Sequence, residues 1–246
     1  RRVLFRSSRE LGGKNPTLVF ADADLDEAVD GAARSAFSNQ GQICLCGSRI
    51  LVEQSIYPQF RDALAARVRS LHVGDPSEAM TQVGALVSAA HRDKVLSYIQ
   101  LAKDEGGHIL CGGVSKIVEG RCEKGYFVAP TLLDGLPADC RTNQEEIFGP
   151  VATLMPFETE EEAIALANGT QYGLAASVWT SNVNTAHRVG QALESGIVWI
   201  NCWMERDLRT PFGGVKSSGM GREGGWYALR FFTEPKNICI KTQTHS

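Results

Sequence analysis

Short apolar runs alternate with amphipathic helical patterns along this chain, and this alternation limits the folds that it can adopt. The apolar run at residues 17–20 precedes a helical pattern whose start is marked by Asp24 and Glu27, which are spaced as a helix-capping pair. A second apolar run, at residues 49–53, precedes a helical pattern at residues 56–71. Strands that are separated by helices of this length favour an α/β fold with many parallel strand pairs.

The alternation continues toward the C-terminus. The remaining predicted segments are a helix at 88–105, strands at 108–111, 126–133 and 150–156, a helix at 160–168, a strand at 175–180, a helix at 182–194, and strands at 196–201 and 236–241, the last with the pattern of an edge strand. Reactive groups of parallel sheets collect at strand ends and in the turns beyond them. Four turns are therefore candidates for a functional site: 10–15, 39–46, 145–150 and 201–225.

The charge pattern argues against nucleic acid or membrane as a partner. The 25 Lys and Arg residues and 28 Asp and Glu residues give a net charge of −3, and they are scattered along the 246-residue chain. The longest apolar runs, such as residues 196–200, have the length of a strand, whereas a membrane-spanning helix needs about 20 apolar residues.

The cysteine pattern predicts free thiols in a reducing, cytoplasmic compartment. Seven cysteines occur at irregular spacing in a chain that is long enough to form a core without disulfides. The sequence contains no Cys-x-x-Cys pair, and no two of its five histidines lie four residues apart, so we expect no metal site.

Two of the turns contain residues that are able to carry out acid–base and nucleophilic chemistry. Cys44 follows the polar glycine turn at 39–41, where backbone N–H groups can lower a thiol pKa. Glu10 lies beside Gly12 and Gly13, where a flat ligand that desolvates the carboxylate would make it a base. Taken singly, each residue also has a structural interpretation, Cys44 as a small buried side chain and Glu10 as a solvated acid.

Four motifs, in this order, resemble signatures of the aldehyde dehydrogenase superfamily. They are ELGGK at 10–14, NQGQIC at 39–44, EEIFGPV at 145–151 and PFGGVKSSG at 211–219. The resemblance implies a three-layer α/β fold with a mostly parallel, twisted sheet and a C-terminal edge strand for assembly into a homo-dimer or homo-tetramer. It also implies an unmatched and foreign or mis-joined leader at 1–9, a catalytic domain at 10–233, and an oligomerisation strand with a tail at 234–246.

The resemblance further implies a covalent mechanism. Cys44 matches the nucleophile that attacks an aldehyde carbonyl to form a thiohemiacetal, and hydride transfer then leaves a thioester that water hydrolyses. Glu10 matches the general base that activates this water. The backbone N–H of Cys44 is expected to stabilise the oxyanion.

The implied cofactor is NAD, and NADP is not excluded. Glu146 matches the residue that holds the nicotinamide ribose hydroxyls, and Phe148 matches the aromatic side chain near the ring. Leu11 and Gly12 would border the nicotinamide. An acidic surface pair formed by Glu145 and Glu146 is the alternative interpretation.

The stretch at residues 199–212 is expected to select the substrate, a small-molecule aldehyde. Trp203 and Phe212 can wall an apolar tunnel, and Arg206 or Arg209 can grip a carboxylate with a planar guanidinium. The alternative is that both arginines are surface residues, one of them paired with a neighbouring acid. The sequence RDLR that they bracket resembles the branch of the family that oxidises muconic semialdehydes, in which the match of Arg206 is expected to hold the distant carboxylate.

Members of this family are roughly twice as long as this chain, and the part that would bind most of the dinucleotide is missing here. We therefore expect the isolated chain to lack useful dehydrogenase turnover. Two other functions remain open: a thiol esterase or hydrolase that uses Cys44 and Glu10, and a non-catalytic structural domain.

Overall fold

A seven-stranded sheet forms the centre of the molecule in the computed structural model, which describes residues 7–242. The strands are β1 (Arg9–Glu10), β2 (Pro16–Val19), β3 (Arg49–Glu53), β4 (His108–Cys111), β5 (Ser115–Lys116), β6 (Phe127–Val128), β7 (Thr131–Asp134), β8 (Val151–Phe157), β9 (Tyr172–Gly173), β10 (Ala175–Trp179), β11 (Ile197–Ile200), β12 (Val215–Lys216) and β13 (Gly219–Met220). The helices are α1 (Leu25–Phe37), α2 (Tyr57–Arg69), α3 (Ala89–Asp104), α4 (Arg141–Gln144), α5 (Glu160–Asn168), α6 (Val183–Ala192) and α7 (Gly225–Phe232).

The central sheet has the strand order β11-β10-β2-β3-β8-β7-β4. Its neighbours pair in parallel, except for β4, which lies antiparallel to β7. Helical connections are the usual way to join parallel neighbours, because each strand must start again at the same edge of the sheet. The predicted mostly parallel α/β fold is confirmed.

Helices cover both faces of this sheet. Successive side chains of a strand point to opposite faces. Val19, Ile50 and Val52 are buried against α1 and α2, whereas Leu18 and Leu51 are buried against α5 and α6. Two apolar cores therefore lie on either side of the sheet, as expected for three layers.

The chain direction places the candidate turns at one edge. Residues 10–15, 39–46 and 145–150 lead into β2, β3 and β8, which are adjacent and parallel. The expectation that the reactive turns lie beyond the strands is therefore wrong for these three, since each precedes its strand. The reason is that a crossover such as α1 returns the chain to the amino edge, where the first backbone N–H groups of parallel strands are available as donors.

Two predicted strands differ from the structure. The run at 126–133 divides into β6, which pairs with β5, and β7, which joins the central sheet, because Pro130 between them has no N–H to donate. Residues 233–242 contain no strand and are exposed, so the predicted edge strand at 236–241 has no partner strand within the described chain.

The segment before β2 also contacts the C-terminal part of the chain. Arg9 and Glu10 form an antiparallel pair with Met220 and Gly219. This pairing includes Arg9, which belongs to the predicted leader; residues 1–6 of that leader and residues 243–246 of the predicted tail lie outside the described residues. No helix within residues 7–242 has both the length and the apolar character needed to cross a membrane.

Candidate active site

The nucleophile turn, residues 39–46, begins where α1 ends. Asp24 caps the start of this helix by accepting from the Glu27 N–H at 3.0 Å, as predicted. At its other end the chain turns through Asn39 and Gln40, both with positive φ, at 48° and 47°. This left-handed turn redirects the chain toward β3 and places Cys44 at the amino edge of the sheet.

Gly41 allows the nucleophile turn to touch the segment that precedes β8. Its φ is +71°, and an added Cβ would lie 2.1 Å from the carbonyl oxygen of Gly149. A side chain at this position is therefore excluded both by conformation and by contact. The close approach brings the turns that contain Cys44 and Glu146 together.

Cys44 and Glu10 lie side by side. The half-buried Cys44 thiol is within hydrogen-bonding range of the Glu10 carboxylate. Burial, followed by the Glu10 charge and hydrogen bond, raises the pKa of Cys44 to about 11. The thiol therefore keeps its proton at neutral pH in this arrangement, and the adjacent carboxylate is the group that can accept it.

The Glu10 carboxylate is oriented by its own loop. Its Oε1 accepts a hydrogen bond from the Gly12 N–H at 2.7 Å. The neighbouring Leu11 donates its N–H to the Ser218 carbonyl at 2.8 Å, and its side chain is 57% exposed. Leu11 is therefore available to border a ligand, while its backbone fixes the loop.

Glu146 packs against the glycines of the same loop. Its Oε1 accepts from the Gly13 N–H at 3.1 Å, and its Oε2 lies 2.3 Å from where a Gly12 Cβ would be. Burial, with a smaller contribution from the Glu10 charge, raises the pKa of Glu146. The structure thus brings Glu10, Gly12, Cys44 and Glu146 together, although they are distant in the sequence.

Phe148 has a strained backbone beside this group. Its φ is 61°, which is uncommon for a residue with an aromatic side chain. His91 supports it, since its Nε2 donates to the Phe148 carbonyl at 2.6 Å and the two rings meet edge to face. Sequence analysis missed His91, because it lies in α3 without a motif.

Two buried basic residues below the loop were also missed. Burial, then the charge of Arg49, lowers the pKa of Lys14 to about 7. Arg49 donates to the carbonyl oxygens of Lys14, Leu166 and Ala167 at 2.7–2.9 Å, which joins the loop to the end of α5. The only sequence signal was their position, Lys14 inside the ELGGK motif and Arg49 at the start of a strand.

The proposed substrate residues divide between two places. Trp203 is 6% exposed, and its indole Nε1 donates to the Leu45 carbonyl at 2.9 Å, so that it packs beneath the nucleophile turn. Phe212 lines a separate cavity of about 290 Å³, to which Trp203 does not contribute. Trp199 joins the two places, because it lines this cavity and packs in the same apolar cluster as Trp203 and Phe212.

The two arginines are in different environments. Arg206 lines the cavity with its guanidinium 4.5 Å from the centre of the Phe212 ring. The side chain of Arg209 is 88% exposed and is ion-paired with Asp207, with Nε to Oδ1 at 2.8 Å. The surface interpretation therefore fits Arg209, whereas Arg206 is stacked on an aromatic wall.

Known proteins were compared once this geometry was described. The model of the aldehyde dehydrogenase family matches residues 2–238, so the chain belongs to the aldehyde dehydrogenase family. The match begins inside the segment that was predicted to be an unrelated leader.

Curated relatives give a narrower likeness. The chain is 50% identical over 236 residues to a 2-aminomuconic semialdehyde dehydrogenase from Homo sapiens, with 95% of this chain and 48% of the relative covered. It is also 50% identical over 234 residues to a 2-hydroxymuconic semialdehyde dehydrogenase from Pseudomonas sp. (strain CF600), with 95% and 48% covered. The chain spans about half the length of the curated relatives that it matches.

A solved structure has the same fold. The NAD+ complex of an aldehyde dehydrogenase from Bacillus cereus matches with a TM-score of 0.89 and 43% identity, over 93% of this chain and 46% of that one.

Proposed function

We propose that this protein oxidises an aldehyde to the corresponding acid, with NAD as the cofactor, through a covalent adduct on Cys44. The observation that carries the proposal is the hydrogen-bonding contact between the Cys44 thiol and the Glu10 carboxylate. The family membership and the NAD+ complex of the Bacillus cereus relative support it.

The two side chains can carry out a complete cycle. Glu10 takes the thiol proton as the sulfur attacks the carbonyl carbon, and the resulting oxyanion accepts a hydrogen bond from the Cys44 N–H. Loss of hydride from the thiohemiacetal carbon leaves a thioester. Glu10 then takes a proton from water as the water oxygen attacks the thioester carbon, and the carbon–sulfur bond breaks to release the acid.

The glycine loop and Glu146 fit the nicotinamide and its ribose. The Glu146 carboxylate lies on the face of Gly12 that has no side chain, where it can accept from vicinal hydroxyls. Leu11 and Phe148 would border the ring. When bound, the cofactor supplies the acceptor for the hydride.

We propose a carboxylated semialdehyde, of the muconic type, as the substrate. The names of the relatives support this class, and Arg206 is the arginine that lines the apolar cavity. In the full-length protein, Arg206→Ala should raise KM for a carboxylated semialdehyde and leave KM for an uncharged aldehyde of similar size unchanged. Arg209→Ala is the matched control, and an equal effect of both variants would remove Arg206 from this role.

The function is tested by NADH formation in the full-length protein. Cys44→Ala should abolish aldehyde oxidation, whereas Cys122→Ala, at a half-buried cysteine elsewhere in the chain, should leave it unchanged. Oxidation that persists in Cys44→Ala would refute the covalent mechanism. Ester cleavage that depends on Cys44 without any aldehyde oxidation would favour the thiol hydrolase instead.

We further propose that residues 10–233 form the catalytic unit and that the protein is a cytoplasmic homo-oligomer assembled through α7 and residues 234–246. The helix exposes Trp226, Tyr227 and Phe232, a larger apolar surface than a helix of a monomer usually presents. The exposed segment at 236–241 has the pattern of a strand that would need a partner. The seven free cysteines support a reducing compartment.

A further inference from the structure

The side-chain amide of Asn15 lies where three segments of the candidate site meet. Its Nδ2 donates to the carbonyl oxygen of Cys44 at 2.8 Å and to that of Cys46 at 2.9 Å. Its Oδ1 accepts from the Ala175 N–H at 3.0 Å. Asn15 is 3% exposed, so water does not substitute readily for these bonds.

These partners determine which side chain can occupy the position. Two carbonyls face the Asn15 nitrogen and one N–H faces its oxygen, a pattern that only a primary amide satisfies completely. Aspartate has no donor for the carbonyls, and serine has a single hydroxyl. The amide also fits closely, because a Cβ on Gly13 would lie 2.6 Å from the Asn15 Oδ1.

The bonds fix the nucleophile relative to the base. Holding the Cys44 carbonyl fixes the peptide plane that follows Cys44 and therefore the direction in which its side chain leaves the backbone. Asn15 belongs to the same short loop as Glu10, and its own carbonyl accepts from the Arg49 N–H at 3.3 Å. One loop thus carries the base and, through an amide, holds the nucleophile turn.

We propose that Asn15 is a positioning residue that aligns the Cys44 thiol with the Glu10 carboxylate. This inference rests on the proposed function. A misplacement of about 1 Å in a catalytic group can reduce a rate about 10²-fold, so the expected effect of Asn15 is on turnover.

The test uses Asn15→Ser and Asn15→Asp in the full-length protein. The matched controls are Asn168→Ser and Asn168→Asp, because the Asn168 amide also bridges two backbone groups, donating to the Ala192 carbonyl at 2.9 Å and accepting from the Glu194 N–H at 2.8 Å. We expect kcat to fall about 10²-fold in the Asn15 variants, with little change in KM for NAD+. The Asn168 variants should show a similar loss of Tm and keep their kcat.

A second measurement follows alignment without turnover. The rate of Cys44 alkylation, measured on its peptide by mass spectrometry, is recorded against pH. If the thiol moves away from Glu10, its pKa should fall toward the ordinary thiol value, so the profile should shift to lower pH in both Asn15 variants and in neither Asn168 variant.

The outcomes separate the two proposals. An unchanged alkylation profile, with a loss of kcat no larger than in the Asn168 variants, would overturn the role of Asn15 and leave the proposed function intact. Full aldehyde oxidation by Cys44→Ala would overturn the proposed function, and the alkylation profile would still decide whether Asn15 aligns the thiol. Should Asn15→Asp fail to fold, Asn15→Ser carries the same two measurements.

Discussion

Glu10 affects Cys44 in two opposite ways. Its negative charge opposes ionisation of the thiol, and its carboxylate is the nearby base that can remove the thiol proton. A resting thiol that is protonated is protected from chance reaction, because only the thiolate is strongly nucleophilic. The same pair therefore combines low resting reactivity with the means of activation during catalysis.

This antagonism predicts that Glu10→Gln makes the thiol more acidic and the enzyme slower. Removing the charge should lower the pKa of Cys44 from about 11, so that alkylation at pH 8–9 becomes faster. Aldehyde oxidation should fall about 10²–10⁴-fold, because general-base catalysis is lost. Both rates are measured on the same preparation, with Glu119→Gln as the exposed control, and slower alkylation in Glu10→Gln would contradict the account.

Lys14 predicts a pH dependence of stability. Its pKa is about 7 in the folded protein and 10.5 by the ordinary value, so the unfolded chain binds more protons between these values. The contribution of Lys14 to the free energy of unfolding therefore rises from pH 7 to pH 10.5 and is lowest below pH 7. Lys14→Met should remove this rise in denaturant unfolding measured at several pH values, and the exposed Lys103→Met should retain it. A curve for Lys14→Met parallel to the wild type would show that the ammonium is not buried at a cost.

At the scale of elements, the site depends on how closely two turns approach each other. The nucleophile turn and the segment before β8 meet at Gly41 and Gly149, where backbone lies against backbone. Neither turn has a regular ladder of its own, so the strands that follow them set their separation. The parallel pairing of β3 with β8 thereby positions Cys44 relative to Glu146.

Gly41→Ala should separate these turns. The new Cβ would have to displace the Gly149 carbonyl, so we expect a loss of stability above the roughly 1 kcal/mol of a left-handed glycine replacement, together with a loss of aldehyde oxidation. Gly106→Ala is the matched control, because Gly106 has a φ of +91° and no atom within 4 Å of the added Cβ. Chemical unfolding and NADH formation measure the two effects, and equal effects of the two variants would exclude a role for the close approach.

At the scale of the whole molecule, the C-terminal part has little of the chain to pack against. α7 contains no buried residue, and Ile238 and Ile240 are exposed beyond it. Association would remove this apolar surface from water, at about 25 cal/mol for each Å² buried.

Replacing this surface should therefore weaken assembly. Trp226→Ser combined with Phe232→Ser is expected to shift the full-length protein toward smaller species in sedimentation velocity. Val87→Ser, at an exposed apolar residue elsewhere, is the control and should leave the distribution unchanged. A distribution that is the same for all three proteins would place any interface on another surface.

The sequence determined the elements and the chemistry available to them. Alternating apolar runs and helical patterns predicted the parallel α/β sheet, and Asp24 marked the start of α1, because hydrophobic periodicity and capping are short-range properties. Motif resemblance supplied Cys44 and Glu10. The division of one predicted strand at Pro130 was missed because the length of a strand depends on its partners.

Only the tertiary structure decided which residues meet. Asn15, His91 and Arg49 are ordinary in sequence, and each contributes through hydrogen bonds to backbone groups between 31 and 118 positions away. Arg206 and Arg209 are equivalent candidates in the sequence, yet the ion pair with Asp207 occupies one of them. Such partners depend on where the sheet brings distant backbone groups together, and a one-dimensional pattern does not contain that information.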